Sequence, residues 1–311
     1  MALFLRKLIS FTGLVIIIYI LAFAVLFFVS SFNIPLVFRI TNANILKGGY
    51  TYVSFRQFDR AKKYDVLLLG SSHAYRGYDP AIFKEYGFSM FNLGTNSQGN
   101  MVSYVIAKNY IHKSNCKTVI LDVYDRVFIT TRMESLSDVV QNINSVEAAV
   151  DLCLASRDIR LANMLTMRAF NHFDFVFNRD TAGVVEGYIP YQTQLSPTEK
   201  HRETGQKPVE EALIYFEKLI EYLHGEGVNI ILAEQPVSYL AAIPLAQHQD
   251  MLNKIRPILE KYQIPFYDHL YDPSLSDIKY FANSNHLSIS GIEKYNKILL
   301  NELLRDGRLP K

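Results

Sequence analysis

Five short apolar runs recur along this chain, and the segments between them constrain its fold more than any other feature. They are "YDVLLLG" (64–70), "MFNLG" (90–94), "KTVILDV" (117–123), "VNIILAEQP" (228–236) and "IPFYD" (264–268). Each is too short for a core helix and lies beside glycine, proline or aspartate, which is how a buried strand begins and stops. The intervening segments have apolar residues three and four apart, as at Met101, Val102, Val105, Ile106 and Tyr110. "PVEEALIYFEKLIEYLHGEG" adds the helix signals of proline at the start, acids in the first turn and glycine after the end. Strands that alternate with helices are expected to run parallel, with helices on both faces of the sheet. The expected fold is therefore α/β, a three-layer α/β/α arrangement around a parallel five-stranded sheet. Such a sheet places its sites at the carboxyl ends of its strands, so every strand exit is a candidate.

A different feature governs the N-terminus. Residues 8–29, "LISFTGLVIIIYILAFAVLFFV", carry no charge and follow Arg6 and Lys7. A membrane span needs about 20 such residues, whereas the apolar core of a cleaved signal peptide has about 7 to 15. Residues 1–32 are read as an uncleaved transmembrane anchor, 33–60 as a connector and 61–311 as the globular domain. Arg39 and Lys47 follow the run much as Arg6 and Lys7 precede it, so charge alone leaves the orientation open. Residues 137–172 read as helical. The polar stretch 178–207 reads as a long loop or lid, a length that compact domains reserve for function.

Several classes are disfavoured. Among 311 residues the net charge is only +2, so no global field recruits nucleic acid. The two cysteines, Cys116 and Cys153, lack the spacing of a zinc site or disulfide scaffold. The sequence has no HExxH, GxxxxGK[ST] or GxGxxG, so no metal or nucleotide cofactor is expected.

Three strand exits carry chemistry. The first, "GSSHAYRGYDP", is either an ordinary helix cap or a turn presenting Ser72 as a nucleophile. A serine hydroxyl needs a base to accept its proton. His286, in "FANSNHLSISG", follows the last strand and precedes the last helix, on the same edge of the sheet as Ser72. The second exit, "FNLGTNSQGN", offers Gly94, Asn96 and Gly99, either as a helix cap or as donors to developing negative charge. His73 and Tyr124 are candidate substrate contacts, with Arg76, which either meets an anionic substrate or pairs with Asp79 or Asp125. Tyr75, Tyr78, Tyr188 and Tyr191 are candidate sugar-stacking residues.

In order and spacing these blocks resemble the SGNH (GDSL-like) hydrolase superfamily, over about residues 64–304. "LLLGSSHAYRGYDP" resembles its first block with Ser72 as nucleophile, "NLGTNSQG" its second with Gly94 as an oxyanion-hole donor, and "NSNHLSISG" its last with His286 as base. The GSSH form, together with an N-terminal span, resembles the membrane-anchored branch that contains DltD-like proteins and partners of polysaccharide O-acyltransferases and esterases. The resemblance implies a flavodoxin-like sheet and an esterase or O-acyltransferase acting on acyl groups, acetyl above all, of a cell-envelope glycan or polymer. It further implies the backbone N–H groups of Ser72 and Gly94, with Asn96, as oxyanion hole, no cofactor, and a multi-spanning membrane acyltransferase as partner. The N-terminus would be cytoplasmic and the domain extracytoplasmic. Two positions depart from the pattern. Asn283 stands where the family has the aspartate that orients the histidine, and Tyr124 falls where its third block has an asparagine. The departures support an alternative, a catalytically weakened domain that binds glycan or scaffolds an acylation complex. Asp268, Asp272 and Asp277 are candidates to stand in for the missing aspartate.

Overall fold

A computed structural model describes residues 1–31, 34–36, 49–129, 133–169, 183–191, 207–241 and 243–309. Its five-stranded sheet is built from β1 (Tyr64–Leu69), β2 (Met90–Asn92), β3 (Cys116–Asp122), β4 (Asn229–Glu234) and β5 (Phe266–Asp268). All neighbours are parallel and the spatial order is β2-β1-β3-β4-β5, so all five expected strands and the α/β class are present. The chain leaves β1 for β2 on one side and returns for β3 on the other. The crevice between the ends of β1 and β3 is therefore the topological switch point, where this strand order places its ligands.

Alternation along the strands builds the layers, because successive side chains leave opposite faces. Leu67, Leu69, Val119, Leu121, Ile230 and Leu232 join one buried cluster with the helices Asn100–Tyr110 and Glu210–Gly225. Val66, Leu68, Ile120 and Ile231 join a second with Phe83, Tyr295, Leu299 and Leu303, from the helices Pro80–Glu85 and Ile289–Arg305. Each fully buried leucine in these layers contributes about 1.5–3 kcal/mol relative to exposure. That burial fixes the strand ends which carry the site.

Three local readings change. Within the stretch read as connector, Gly49–Gln57 is a helix whose Phe55 is fully buried, with Phe58 beside it in the core. The core thus draws on residues before 61. Residues 137–172 do not form one helix. The chain makes Met133–Asn142, Val146–Ser156 and Ile159–Ala169, divided where Ser145 caps a new helix and Arg157 adopts a left-handed φ of 53°. Residues 170–172 lie outside the described residues, as do 178–182 and 192–206 of the expected lid. Within 183–191, Val185 and Tyr188 form an antiparallel bridge.

Near the N-terminus, Ala2–Phe28 is a single helix of 27 residues with a mean hydropathy of 2.8 over its most apolar window. At 1.5 Å per residue it reaches about 40 Å, longer than the roughly 30 Å hydrocarbon core of a bilayer. By length and composition it fits either a membrane span or a signal sequence.

Candidate active site

The first strand exit is shaped by backbone crowding. Gly70, at the end of β1, has φ 151°, and a Cβ there would stand 2.8 Å from the Asp122 carbonyl oxygen and 2.9 Å from the Ala74 Cβ. Only glycine lets the chain turn against β3 at this point. Ser71 then caps the helix Ser72–Gly77, its hydroxyl accepting from the His73 N–H at 3.4 Å. Ser72 is the first helical residue, so its own N–H has no acceptor within the helix, and its side chain is only partly buried.

His286 is held by a tight loop. Phe281 and Leu287 bridge its ends, and the Ala282 N–H donates to the His286 carbonyl at 2.8 Å. Inside the loop the Asn283 Oδ1 accepts from the backbone N–H groups of Asn285, at 3.1 Å, and His286, at 2.9 Å. Both partners are donors only, which fixes the amide with its oxygen inward. The same oxygen lies 3.0 Å from His286 Nδ1, so Nδ1 carries the ring proton. Nε2 then presents its lone pair to the Ser72 hydroxyl at 2.8 Å. Burial, with a smaller contribution from the Arg76 charge, pushes the imidazole down to about 3, so it is neutral at ordinary pH.

Asn283 itself is the orienting group. Asp268 instead binds His248 Nε2 at 3.0 Å, and Asp272 and Asp277 cap the short helices Pro273–Leu275 and Ile278–Tyr280. Residue spacing carries no trace of the three-donor geometry that makes an amide sufficient to set the tautomer.

At the second exit the expectation for Gly94 needs correcting. The N–H groups there turn inward: Leu93 donates to the Leu68 carbonyl at 2.8 Å, Gly94 to Asn92 Oδ1 at 2.9 Å and Thr95 to the Gly70 carbonyl at 3.1 Å. A Cβ on Gly94 would stand 2.9 Å from the Gly70 oxygen, so this glycine lets two strand exits meet rather than facing substrate. Neither Gly94 nor Asn96 lines the cleft beside Ser72. That cleft, of about 50 Å³, is lined instead by Ser72, His73, Ser97, Tyr124, Arg126 and Asn285 among others.

Tyr124 and His73 stack at 4.1 Å with an interplanar angle of 20°, and the His73 ring lies 4.9 Å from that of His286. His73 is buried, and its Nε2 has no hydrogen-bond partner among the described residues. Burial, and then the neighbouring His286 and Arg126, hold it well below the usual imidazole range. Arg76 makes neither expected ion pair. Its guanidinium lies 3.8 Å over the Tyr191 ring and 4.9 Å over Tyr75. Asp79 caps the helix Pro80–Glu85, and Asp125 binds His248 at 2.9 Å. The Tyr191 ring stands edge-on to His286 at 4.9 Å and roofs the base. Tyr78 is fully buried, its hydroxyl donating to Asp122 Oδ2 at 2.8 Å, so it faces no sugar. Tyr75 and Tyr188 are buried as well.

Sequence reasoning missed Gln235. It follows β4, and its amide donates to the His73 carbonyl and to Asp122 Oδ2, both at 2.8 Å, tying three strand exits together. The strand-exit rule alone would have found it.

No family model and no curated protein matches the chain. Solved structures do. A Streptococcus pneumonia protein provisionally described as a platelet activating factor has a TM-score of 0.44 at 12% identity, over 85% of this chain and 91% of that one. A GDSL-like lipase from Bacteroides thetaiotaomicron has a TM-score of 0.40 at 11% identity, over 86% and 96%. A lipase/acylhydrolase from Enterococcus faecalis has a TM-score of 0.39 at 12% identity, over 79% and 97%.

Proposed function

We propose that the chain is an SGNH-type serine esterase or O-acyltransferase, anchored in a membrane by Ala2–Phe28 and acting on acyl groups, acetyl above all, of a cell-envelope glycan or polymer. The observation that carries the chemistry is the line from Asn283 Oδ1 through His286 to the Ser72 hydroxyl, with 3.0 Å and 2.8 Å contacts. The Ser72 Oγ attacks the ester carbonyl as its proton passes to His286 Nε2. The carbon–oxygen bond to the leaving alcohol then breaks, and His286 returns the proton to that alcohol. Water or a sugar hydroxyl, deprotonated by the same nitrogen, releases the acyl group from Ser72. The chemistry requires no cofactor. The Ser72 N–H is the oxyanion donor that the geometry favours, and His73 Nε2, buried at the cleft without a partner among the described residues, is the candidate polar contact to substrate.

Asn283 lowers the rate less than a bare comparison with serine proteases suggests. In those enzymes an asparagine in place of the triad aspartate costs about 10⁴ in kcat through the wrong tautomer. Here the backbone N–H groups of Asn285 and His286 force the amide oxygen onto Nδ1, and the tautomer is right. What is lost is charge balance for the imidazolium, on the order of 1–3 pKa units.

A second reading, a weakened domain that binds glycan or scaffolds an acylation complex beside a multi-spanning acyltransferase, draws support from the inward-turned Gly94 N–H and the low basicity of His286. Turnover separates the two. Full-length protein in detergent, given 4-nitrophenyl acetate with and without oligosaccharide acceptors, is expected to release nitrophenol in a Ser72-dependent manner, with acetylated sugar as product if transfer dominates. Neither hydrolysis nor transfer from a folded parent would favour the binding domain.

A further inference from the structure

A second cluster of reactive side chains lies along the same edge of the sheet, away from Ser72. Asp125 follows β3, Glu234 ends β4, Asp268 ends β5 and His248 sits in the helix Leu245–Tyr262. His248, Asp125 and Glu234 are buried to 1% exposure or less. Each offers a ligand atom within 4.8 Å of the others. His248 Nδ1 lies 2.9 Å from Asp125 Oδ1 and 3.8 Å from Glu234 Oε2, while its Nε2 meets Asp268 Oδ2 at 3.0 Å.

The oxygens are what set this cluster apart from an ordinary ion pair. Both carboxylate oxygens of Glu234 and the Oδ2 of Asp125 are buried without a hydrogen-bond partner among the described residues. Buried polar atoms are rarely left so, and an orphaned carboxylate is among the costliest of them.

We infer that Asp125, Glu234 and His248 bind a first-row divalent cation, with Asp268 holding the imidazole from its far side. Ligand atoms about 2.0–2.2 Å from one ion stand roughly 3–3.5 Å from each other, and the 2.9 and 3.8 Å separations reach that with small side-chain rotations. One imidazole and two carboxylates suit manganese or zinc better than calcium, whose sites are all oxygen. The Nε2 contact to Asp268 is the carboxylate–histidine arrangement that orients metal-bound imidazoles. Asp268 is 35% exposed and borders an open cleft, so the cluster meets solvent at its outer edge.

The ion would clamp two strand exits and a helix, with Asp268 bracing the imidazole from a third exit. Asp125 adjoins Tyr124, which stacks on His73, and Glu234 adjoins Gln235, which bonds the His73 carbonyl. The clamp therefore stands one residue from the floor of the cleft at two points.

The test uses the full chain in detergent, stripped with chelator and then incubated separately with manganese and zinc chloride. After gel filtration we expect one retained ion per chain by elemental analysis, a melting temperature raised by the ion, and loss of both in Glu234→Gln. Asp268→Asn should weaken uptake about 10- to 100-fold. Should Glu234→Gln fail to fold, pulsed electron paramagnetic resonance of the manganese-loaded parent should show coupling to a single imidazole nitrogen. No retained ion in the parent, uptake unchanged in folded Glu234→Gln, or bound manganese without nitrogen coupling would each overturn the assignment.

Discussion

His286 and His248 stand at the carboxyl edge of one sheet, each with both ring nitrogens engaged, and their partners make them opposites. His286 has an amide oxygen on one side and a serine hydroxyl on the other. Nothing there offsets burial, and the ring is pushed down to about 3. His248 has a carboxylate on each side. Burial alone would lower it, but the bonds to Asp125 and Asp268 and the charge of Glu234 outweigh burial and raise it to about 10. One ring is a vacant proton acceptor. The other holds a cation in place, a proton or a metal. Burial is common to both, so the partners decide which chemistry a buried histidine performs.

The largest test of that contrast removes the acceptor's purpose. Ser72→Ala is expected to lower acetyl-ester turnover by at least about 10³-fold, and by about 10⁶-fold if the loss matches that of a nucleophile deleted from a serine-protease triad, measured as nitrophenol release. Asn283→Asp converts the first histidine toward the second. A carboxylate on Nδ1 favours the imidazolium by about 1–3 pKa units, so kcat/KM should rise 10-fold or more near neutral pH. The acidic limb of the pH–rate profile should also move upward from its position below pH 4. An unchanged profile in Asn283→Asp would show that the amide already supplies all that the ring needs.

A smaller effect concerns stability. His286 binds its proton near pH 6.5 when unfolded and near 3 when folded, so the unfolded state takes up more protons between those values. Stability from this ring is complete above pH 6.5 and is lost as pH falls toward 3. Between pH 7 and 5 the parent should lose about 2 kcal/mol more than His286→Gln, read from denaturant melts of both. Asp122, raised to about 7 by burial, has the opposite sign, so the difference between the two proteins isolates the histidine. Smallest is the roof: Tyr191→Ala removes the ring over Arg76 and beside His286, and should raise KM for a bulky ester while shifting kcat less than 10-fold.

How much of this was legible in the sequence varies by element. The five strands and their parallel order were, because each strand is a short apolar run and the helices between them carry a clear period. The placement of His286 beside Ser72 was, because strand exits are few and a turn of Gly70 and Ser71 advertises itself. Gly94 was misplaced because a glycine that permits two backbones to touch looks, in sequence, like one that exposes an N–H group. The ion pair expected of Arg76 did not form, because aromatic stacking on Tyr191 leaves no mark of charge complementarity in the sequence. The cluster of Asp125, Glu234, His248 and Asp268 left no local signal, since its members come from three strand ends and a helix and follow no ligand spacing. Helix breaks within 137–172 were hidden because Ser145 and Arg157 interrupt the backbone without interrupting the apolar pattern.

The central claim is that Ser72 is activated by His286. It is tested most directly by treating the full chain in detergent with a fluorophosphonate and measuring intact mass. The account predicts a single adduct that maps to Ser72 and is absent from Ser72→Ala and His286→Ala. A folded parent that remains unmodified, or one labelled equally well without His286, would contradict it.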